Sequence, residues 1–348
     1  MTTVSTNTAE QDALRDSVRS LLTKHSDVRA AIESPRGYDA DLWARLCTEI
    51  GVAGLAIPER FGGLGASLAE TRVVLEELGR TLTPSPLLGS LLAAQALLAT
   101  GNDEACQRLL PGIADGTTIA ALVWAGADGG WSPDEVAITA HDGLTGTAHH
   151  VLDGDLADVL LVAASSADGI ALYEVGPDQP GVTVEHTPAM DLTRRLASVR
   201  LNATGSRLGP LDLAGVRDTA IAALAAEQVG AAERCLELTV EYTKTRVQFG
   251  RPIGSFQALK HRMADLHVLV ETARSAAHAA TDPTAAAVAK VYCSEAFTKV
   301  AAEMIQLHGG IAITWEHDAH LYFKRAHGSS HLFGSPAHHV HRLHEWSS

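Results

Sequence analysis

The chain has 348 residues, 46% of them hydrophobic, enough for two or three packed units and too apolar for a disordered polymer. A formal charge of −14 excludes nonspecific nucleic-acid binding, which needs a basic surface, but leaves room for a phosphorylated small ligand held by a few placed cations. Cys47, Cys106, Cys235 and Cys293 lie far apart with no C-x-x-C, and read as free buried thiols rather than a metal or disulfide site.

Met1 to Ser20 shows no apolar run behind a basic start, and no stretch approaches the ~20 apolar residues that span a bilayer, so a cytoplasmic protein without a membrane partner is expected. Residues 1–116 form the first unit, with apolar residues at helical spacing. Leu14, Val18, Leu21 and Leu22 share one face, and Leu42, Leu46 and Ile50 another, with Asp39 or Asp41 as a cap. A glycine-rich turn, Ile57 to Gly65, precedes a helical run from Ser67 to Gly79. Thr83-Pro84-Ser85-Pro86 must break any helix there, and Leu91 to Leu98 resumes the helical pattern.

Residues 117–213 change grammar. Short apolar runs between Gly, Asp and Pro clusters read as strands: Ile119–Val123, Val136–Thr139, Val159–Ala163, Ile170–Val175, Val182–His186 and Ala197–Leu201. Without intervening helices they imply a small antiparallel barrel or sandwich. Residues 214–348 return to helix, over Ala220–Thr245 with Gly230 as its one breaker, then Gln257–Ala280, then Ala285–His308. The fold expected is α+β, mainly α: an N-terminal helical domain, a central antiparallel β domain and a C-terminal four-helix bundle.

The stretch from Tyr242 to Gln257 ends one helix and opens the next around Gly250, Pro252 and Gly254. Arg246 at the turn and free N–H groups at a helix start suit a pyrophosphate, but a plain helical hairpin with an exposed arginine explains the same residues. Three motifs, in order, go further. Arg246-Val247-Gln248-Phe249-Gly250-Arg251-Pro252-Ile253, running on to Phe256-Gln257, resembles the R-x-Q-F-G-x-P-I-x-x-F-Q motif of the acyl-CoA dehydrogenase family. Ile57-Pro58-Glu59 to Gly65 resembles its I-P-E-x-x-G-G-x-G turn, and Gln306-Leu307-His308-Gly309-Gly310 its Q-x-x-G-G motif. The resemblance covers nearly the whole chain. It implies FAD as cofactor, an acyl-CoA substrate, an electron-transfer flavoprotein as acceptor, and arms that hold a flavin bound mainly to a neighbouring protomer. Arg246 would pair with the pyrophosphate, with Gln248, Phe249 and Gln257 nearby; Gln306, Gly309 and Gly310 would meet the adenosine half.

The family's catalytic base is a glutamate, and the resemblance puts its two usual positions at Phe333, in His331-Leu332-Phe333-Gly334-Ser335, and at Val247. Neither side chain can take a proton. Near the flavin, Trp124 to Ser132 and His149 to Gly154 stand in for more polar family loops, with Leu152 at a hydroxyl position. The lopsided pattern resembles the non-base member of a heteromeric acyl-CoA dehydrogenase acting on bulky thioesters such as steroid side chains. Two alternatives stay open: a self-sufficient homo-oligomer with a displaced base, for which Glu316 is the candidate ahead of Glu237 and Glu241, and a scaffolding subunit without catalysis. His327, His331, His338, His339, His341 and His344 crowd the C-terminus without a carboxylate partner, and read as surface or interface rather than metal ligands.

Overall fold

The computed structural model describes the backbone of residues 8–347 and side chains as far as residue 345. Six helices come first: α1 (Ala9–His25), α2 (Val28–Glu33), α3 (Ala40–Arg45), α4 (Leu68–Thr81), α5 (Leu87–Ala99) and α6 (Asp103–Ala114). Side-chain caps set several starts. Thr8 with Gln11 closes a capping box on α1, Ser67 with Glu70 does so on α4, and Asp39 rather than Asp41 caps α3. The Leu42–Leu46–Ile50 pattern does not continue as α-helix; Leu46–Ile50 widens to a π turn that Gly51 ends at φ 79°. Helix α5 is buried nearly all round because it lies between β1 and α7.

Eight strands follow: β1 (Ala120–Val123), β2 (Ile138–Ala140), β3 (Leu144–Leu152), β4 (Val159–Ser166), β5 (Gly169–Val175), β6 (Val182–His186), β7 (Leu196–Ala203) and β8 (Ser206–Pro210). They form one sheet in the order β6-β7-β3-β2-β4-β5-β8, with β1 also on β4. The ladder is antiparallel except that β1 and β2 both run parallel to β4, so the sheet is mixed rather than purely antiparallel. The loop joining β1 to β2 carries Trp124 and Trp131 out of the sheet. Strands β3 and β8 have no counterpart among the expected runs. In β3 the alternation is hidden by Gly146, two histidines and a register shift between Ala148 and Val151; β8 holds a glycine and a proline around one buried leucine.

The last part comprises α7 (Leu213–Thr245), the short strands β9 (Val247–Gln248) and β10 (Arg251–Pro252), then α8 (Gln257–Ala279), α9 (Pro283–His308), α10 (Ala319–His331) and α11 (Pro336–Ser347). Helix α7 starts at Leu213, seven residues before its Ala-rich run, because Asp212 caps it by accepting from the Gly215 N–H. Helices α7 to α10 pack as a bundle, and α4 lies against α7. Gly230, the breaker within α7, marks that crossing: a Cβ there would meet the Glu76 carbonyl oxygen at 1.8 Å. A buried ionic knot ties sheet to bundle. Glu227 of α7 binds Arg194 at 2.5 Å and Arg325 at 2.6 Å, and Arg325 also binds Asp191 at 2.8 Å. Burial alone would raise the Glu227 carboxyl, but the two guanidinium groups hold it at about 2. All four cysteines are free and buried.

Candidate functional site

Two loci correspond to the residues singled out by sequence, and they lie at opposite ends of α7. The first is the hairpin after α7. Arg246 leaves the helix in extended conformation, its N–H still bound to the Tyr242 carbonyl, and Val247–Gln248 pairs antiparallel with Arg251–Pro252. Phe249 and Gly250 make the two-residue turn with φ 52° and 76°, the geometry that favours Asn-Gly over a bulky residue. Phe249 is nevertheless 91% exposed, and Val247 52%. A strained, water-facing phenylalanine is unexplained by packing among the described residues, where its one ring partner is Phe256 at 6.2 Å. The guanidinium of Arg251 lies over that same Phe256 ring, 4.1 Å from its centroid. Helix α8 then opens at Gln257 with no side-chain cap, leaving first-turn N–H groups unspent.

The end of α9 lies beside this hairpin. Tyr242, one turn before Arg246, stacks on His308 with ring centroids 4.3 Å apart and donates its hydroxyl to the His308 carbonyl at 3.2 Å. Gln306 is exposed on the last turn, Gly309 turns the chain at φ 66°, and Gly310 follows. At both glycines a Cβ would meet no atom of the described residues within 4 Å, chain neighbours aside. Packing inside the protomer therefore does not demand glycine at 310, and this face is open to approach from outside. Ile313 (75% exposed) and Trp315 (63%) extend the apolar surface beyond it. The structure thus brings Arg246, Gln248, Phe249, Gln257, Gln306, Gly309 and Gly310 to two adjoining segments at one end of the bundle. Sequence reasoning missed the Tyr242–His308 stack that joins them, although the four-residue step from Tyr242 to Arg246 places both near one helical face.

The second locus is the turn between α10 and α11. Phe333 (φ 60°) is wholly buried, with Trp131 at 5.1 Å and Trp124 at 5.9 Å, and the two indoles themselves 5.0 Å apart. Its backbone is pinned. The Phe333 carbonyl accepts from His339 Nε2 at 2.8 Å, Arg342 bonds His339 Nδ1 at 3.0 Å, and Arg342 reaches Asp218 of α7 at 3.2 Å. Burial drives the His339 imidazole down to about 3, so it stays neutral with its proton on Nε2. A surface setting for His339 is therefore ruled out; its ring is a buried strut. Lys290 of α9, also fully buried, donates to the carbonyls of Ser329 (3.1 Å) and Ser330 (3.0 Å) and to Ser294 Oγ (3.2 Å), capping α10 just before the turn.

Distances separate the roles. Asp218, tied to the Phe333 turn, and Arg246 are 28 residues apart along α7, about 42 Å at ~1.5 Å per residue. Val247 stands half-exposed on the hairpin, where this chain supplies no dry pocket for a base. Glu316 is exposed at the N-terminal end of α10, with the whole 13-residue helix between it and Phe333. Among the described residues no group of three or more His, Cys, Asp or Glu could hold a metal, and no helix is long and apolar enough to cross a membrane.

A helical unit, a β sheet and a bundle projecting a cationic hairpin beside a glycine turn define an acyl-CoA-dehydrogenase-type oxidoreductase. Family models agree: the acyl-CoA dehydrogenase N-terminal domain matches residues 8–117 and the C-terminal domain residues 221–347. The chain is 48% identical over 340 residues to acyl-CoA dehydrogenase IpdE2 of Mycolicibacterium smegmatis, covering 96% of this chain and 97% of that protein. Among solved structures it resembles the Tcur3481–Tcur3483 steroid ACAD (34% identity, TM-score 0.90, 97% of each chain). It also resembles the ChsE4–ChsE5 complex of Mycobacterium tuberculosis (30% identity, TM-score 0.89, 98% of this chain and 97% of that one). The chain belongs to the acyl-CoA dehydrogenase family of FAD-dependent oxidoreductases.

Proposed function

We propose that this chain is the base-lacking subunit of a heteromeric acyl-CoA dehydrogenase that oxidises the Cα–Cβ bond of a bulky, alicyclic acyl-CoA. The observation that carries this reading is the separation along α7. The exposed Arg246 hairpin and the buried Phe333 turn are too far apart to serve one ligand, so the hairpin works on a neighbour. Two similar structures are complexes of two named chains, and one is called a steroid ACAD, which favours an unlike partner and a large acyl group.

FAD fits the hairpin end. Arg246 forms no ion pair among the described residues, the α8 start is uncapped, and the face over Gly309 and Gly310 is clear. Arg246 would neutralise the pyrophosphate, Gln248 and Gln257 would donate amide hydrogens, Phe249 would pack against the neighbour, and Gln306 with the glycines would border the adenosine half. Bound there, FAD supplies the hydride acceptor, and an electron-transfer flavoprotein takes the electrons onward. The partner brings the glutamate that removes the α-proton. In this chain the equivalent place is filled by Phe333, Trp124 and Trp131, which exclude water but cannot accept a proton.

The test is an anaerobic flavin spectrum of the chain alone with added FAD, and again with a candidate second subunit, followed by a panel of acyl-CoAs. Flavin retention and substrate bleaching only in the two-chain sample are the expected result. A yellow homo-oligomer that bleaches unaided would overturn the reading in favour of a displaced base, and Glu316→Gln would then be the first variant to make.

A further inference from the structure

Where helical unit, sheet and bundle meet, the α2–α3 loop, Thr83–Ser85, the end of β3 and the β6–β7 loop close on a small cavity. Its volume is about 20 Å³, room for one particle of water or halide size. Leu75, Leu78 and Leu88 form the apolar side. The polar side is crowded with cations: Arg36, Arg194, Arg195 and Arg325 line it, against Asp153 and Glu227. None of the lining residues belongs to the Arg246 hairpin or the Phe333 turn.

The donors there are not all spent. Arg325 is bound by Asp191, Glu227 and Thr193. Arg194 gives Nη2 to Glu227 at 2.5 Å, but its Nε, in a side chain nine-tenths buried, meets no acceptor among the described residues. Arg195 gives Nε to Asp155 at 2.7 Å. Arg36 donates to the Tyr38 hydroxyl at 3.3 Å and forms no ion pair among the described residues.

Asp153 is the unusual acid. It is buried at the end of β3 with φ 53°, and its Oδ2 lies against the α5 backbone, where a Cβ on Gly89 would come within 2.9 Å. No donor among the described residues reaches its carboxyl. Burial pushes that carboxyl up to about 7 against the pull of Arg194, Arg195 and Arg325, and Asp155 adds to the push. With Asp153 neutral, four guanidinium groups face three carboxylates, Asp155, Asp191 and Glu227, and one positive charge is left over. His186, 3.5 Å behind Asp155, adds no negative charge. Excess charge in a partly buried cluster is costly, and unspent guanidinium donors around a halide-sized space select a small anion.

We infer that this cavity binds one monovalent anion of chloride size, held by Arg36, Arg194 and Arg195, and that the Asp153 carboxyl competes for the same cations. A protonated Asp153 can donate to the anion. An ionised Asp153 supplies the missing charge itself and expels it. The site is a joint between the three units and does not depend on the chain being a subunit of a dehydrogenase pair.

Sodium chloride is titrated into the full chain against sodium gluconate at equal ionic strength, with thermal unfolding as the readout; gluconate is too large for the cavity. Chloride alone should raise Tm saturably at about pH 6, since it binds the folded chain and not the unfolded one. For a competing group that titrates at about 7, half-saturation should need about tenfold more chloride at about pH 8 than at about pH 6. Asp153→Asn, neutral throughout, should keep the binding and remove that difference. Arg36→Gln, at an exposed position, should weaken binding about threefold or more. Broadening of the chloride NMR line reads binding directly in any variant whose Tm has shifted. Equal responses to chloride and gluconate, a pH-independent midpoint in the wild type, a retained pH difference in Asp153→Asn, or unchanged affinity in Arg36→Gln would each overturn the assignment.

Discussion

His339 Nε2 donates to the carbonyl of Phe333 across 2.8 Å, so a buried neutral imidazole holds the turn between α10 and α11. Its folded pKa, about 3, lies below the ordinary 6.5. Between those values the unfolded chain binds a proton that the folded chain refuses, and stability must fall as pH drops through that window. Replacing His339 by Gln should flatten the loss between about pH 6.5 and 3 while lowering stability at pH 7. Urea unfolding as a function of pH reads both; parallel wild-type and variant profiles would contradict this role.

Lys290 gives a case of the same sign at alkaline pH. Burial pulls its amine down to about 7 from the ordinary 10.5. The unfolded chain keeps a proton there that the folded chain sheds, so this residue makes stability rise with pH from about 7 to 10.5. Lys290→Met should remove that slope. It should also expose the α10 end to faster amide exchange, because the Ser329 and Ser330 carbonyls lose their donor.

Arg246→Ala tests the flavin arm. In the assembled two-chain protein, loss of a charge-assisted contact to pyrophosphate should weaken FAD retention by at least about tenfold, read from the 450 nm absorbance after gel filtration. The isolated chain should unfold at an unchanged temperature, since Arg246 is exposed and makes no ion pair among the described residues. Unaltered flavin content would remove Arg246 from the site.

Phe249→Asn should separate folding from assembly. Asparagine tolerates positive φ better than phenylalanine, so the lone chain should be no less stable. Association with the partner should weaken by roughly tenfold or more if the ring is buried there as an aromatic anchor, measured by analytical ultracentrifugation.

Much of this was legible before the fold was known, for identifiable reasons. Arg246, Gln306 and their glycines stand in ordered motifs, and helical periodicity marks α1 and α7. Val247 and Phe333 drew notice in the motif comparison because neither side chain titrates. What stayed hidden depends on long-range contact. Strand β3 hides behind a bulge and two histidines; His339 sits in a histidine run that looks solvent-facing until Arg342 and Phe333 fold around it. Arg72 is one arginine among many in the chain. Only the fold shows that its guanidinium donates to the Ala277 and Ala280 carbonyls at the end of α8.

The apolar end formed by Phe249, Ile313 and Trp315 also bears on how such a chain is produced. An orphan copy would present an adhesive surface to every other newly made protein, a hazard that grows with its excess over the partner. On the proposed heteromeric reading, balanced synthesis of the two chains would therefore protect solubility as well as activity. Expressed singly, the chain should be recovered largely as aggregate or bound to chaperones, and co-expression should rescue it in proportion to partner supplied.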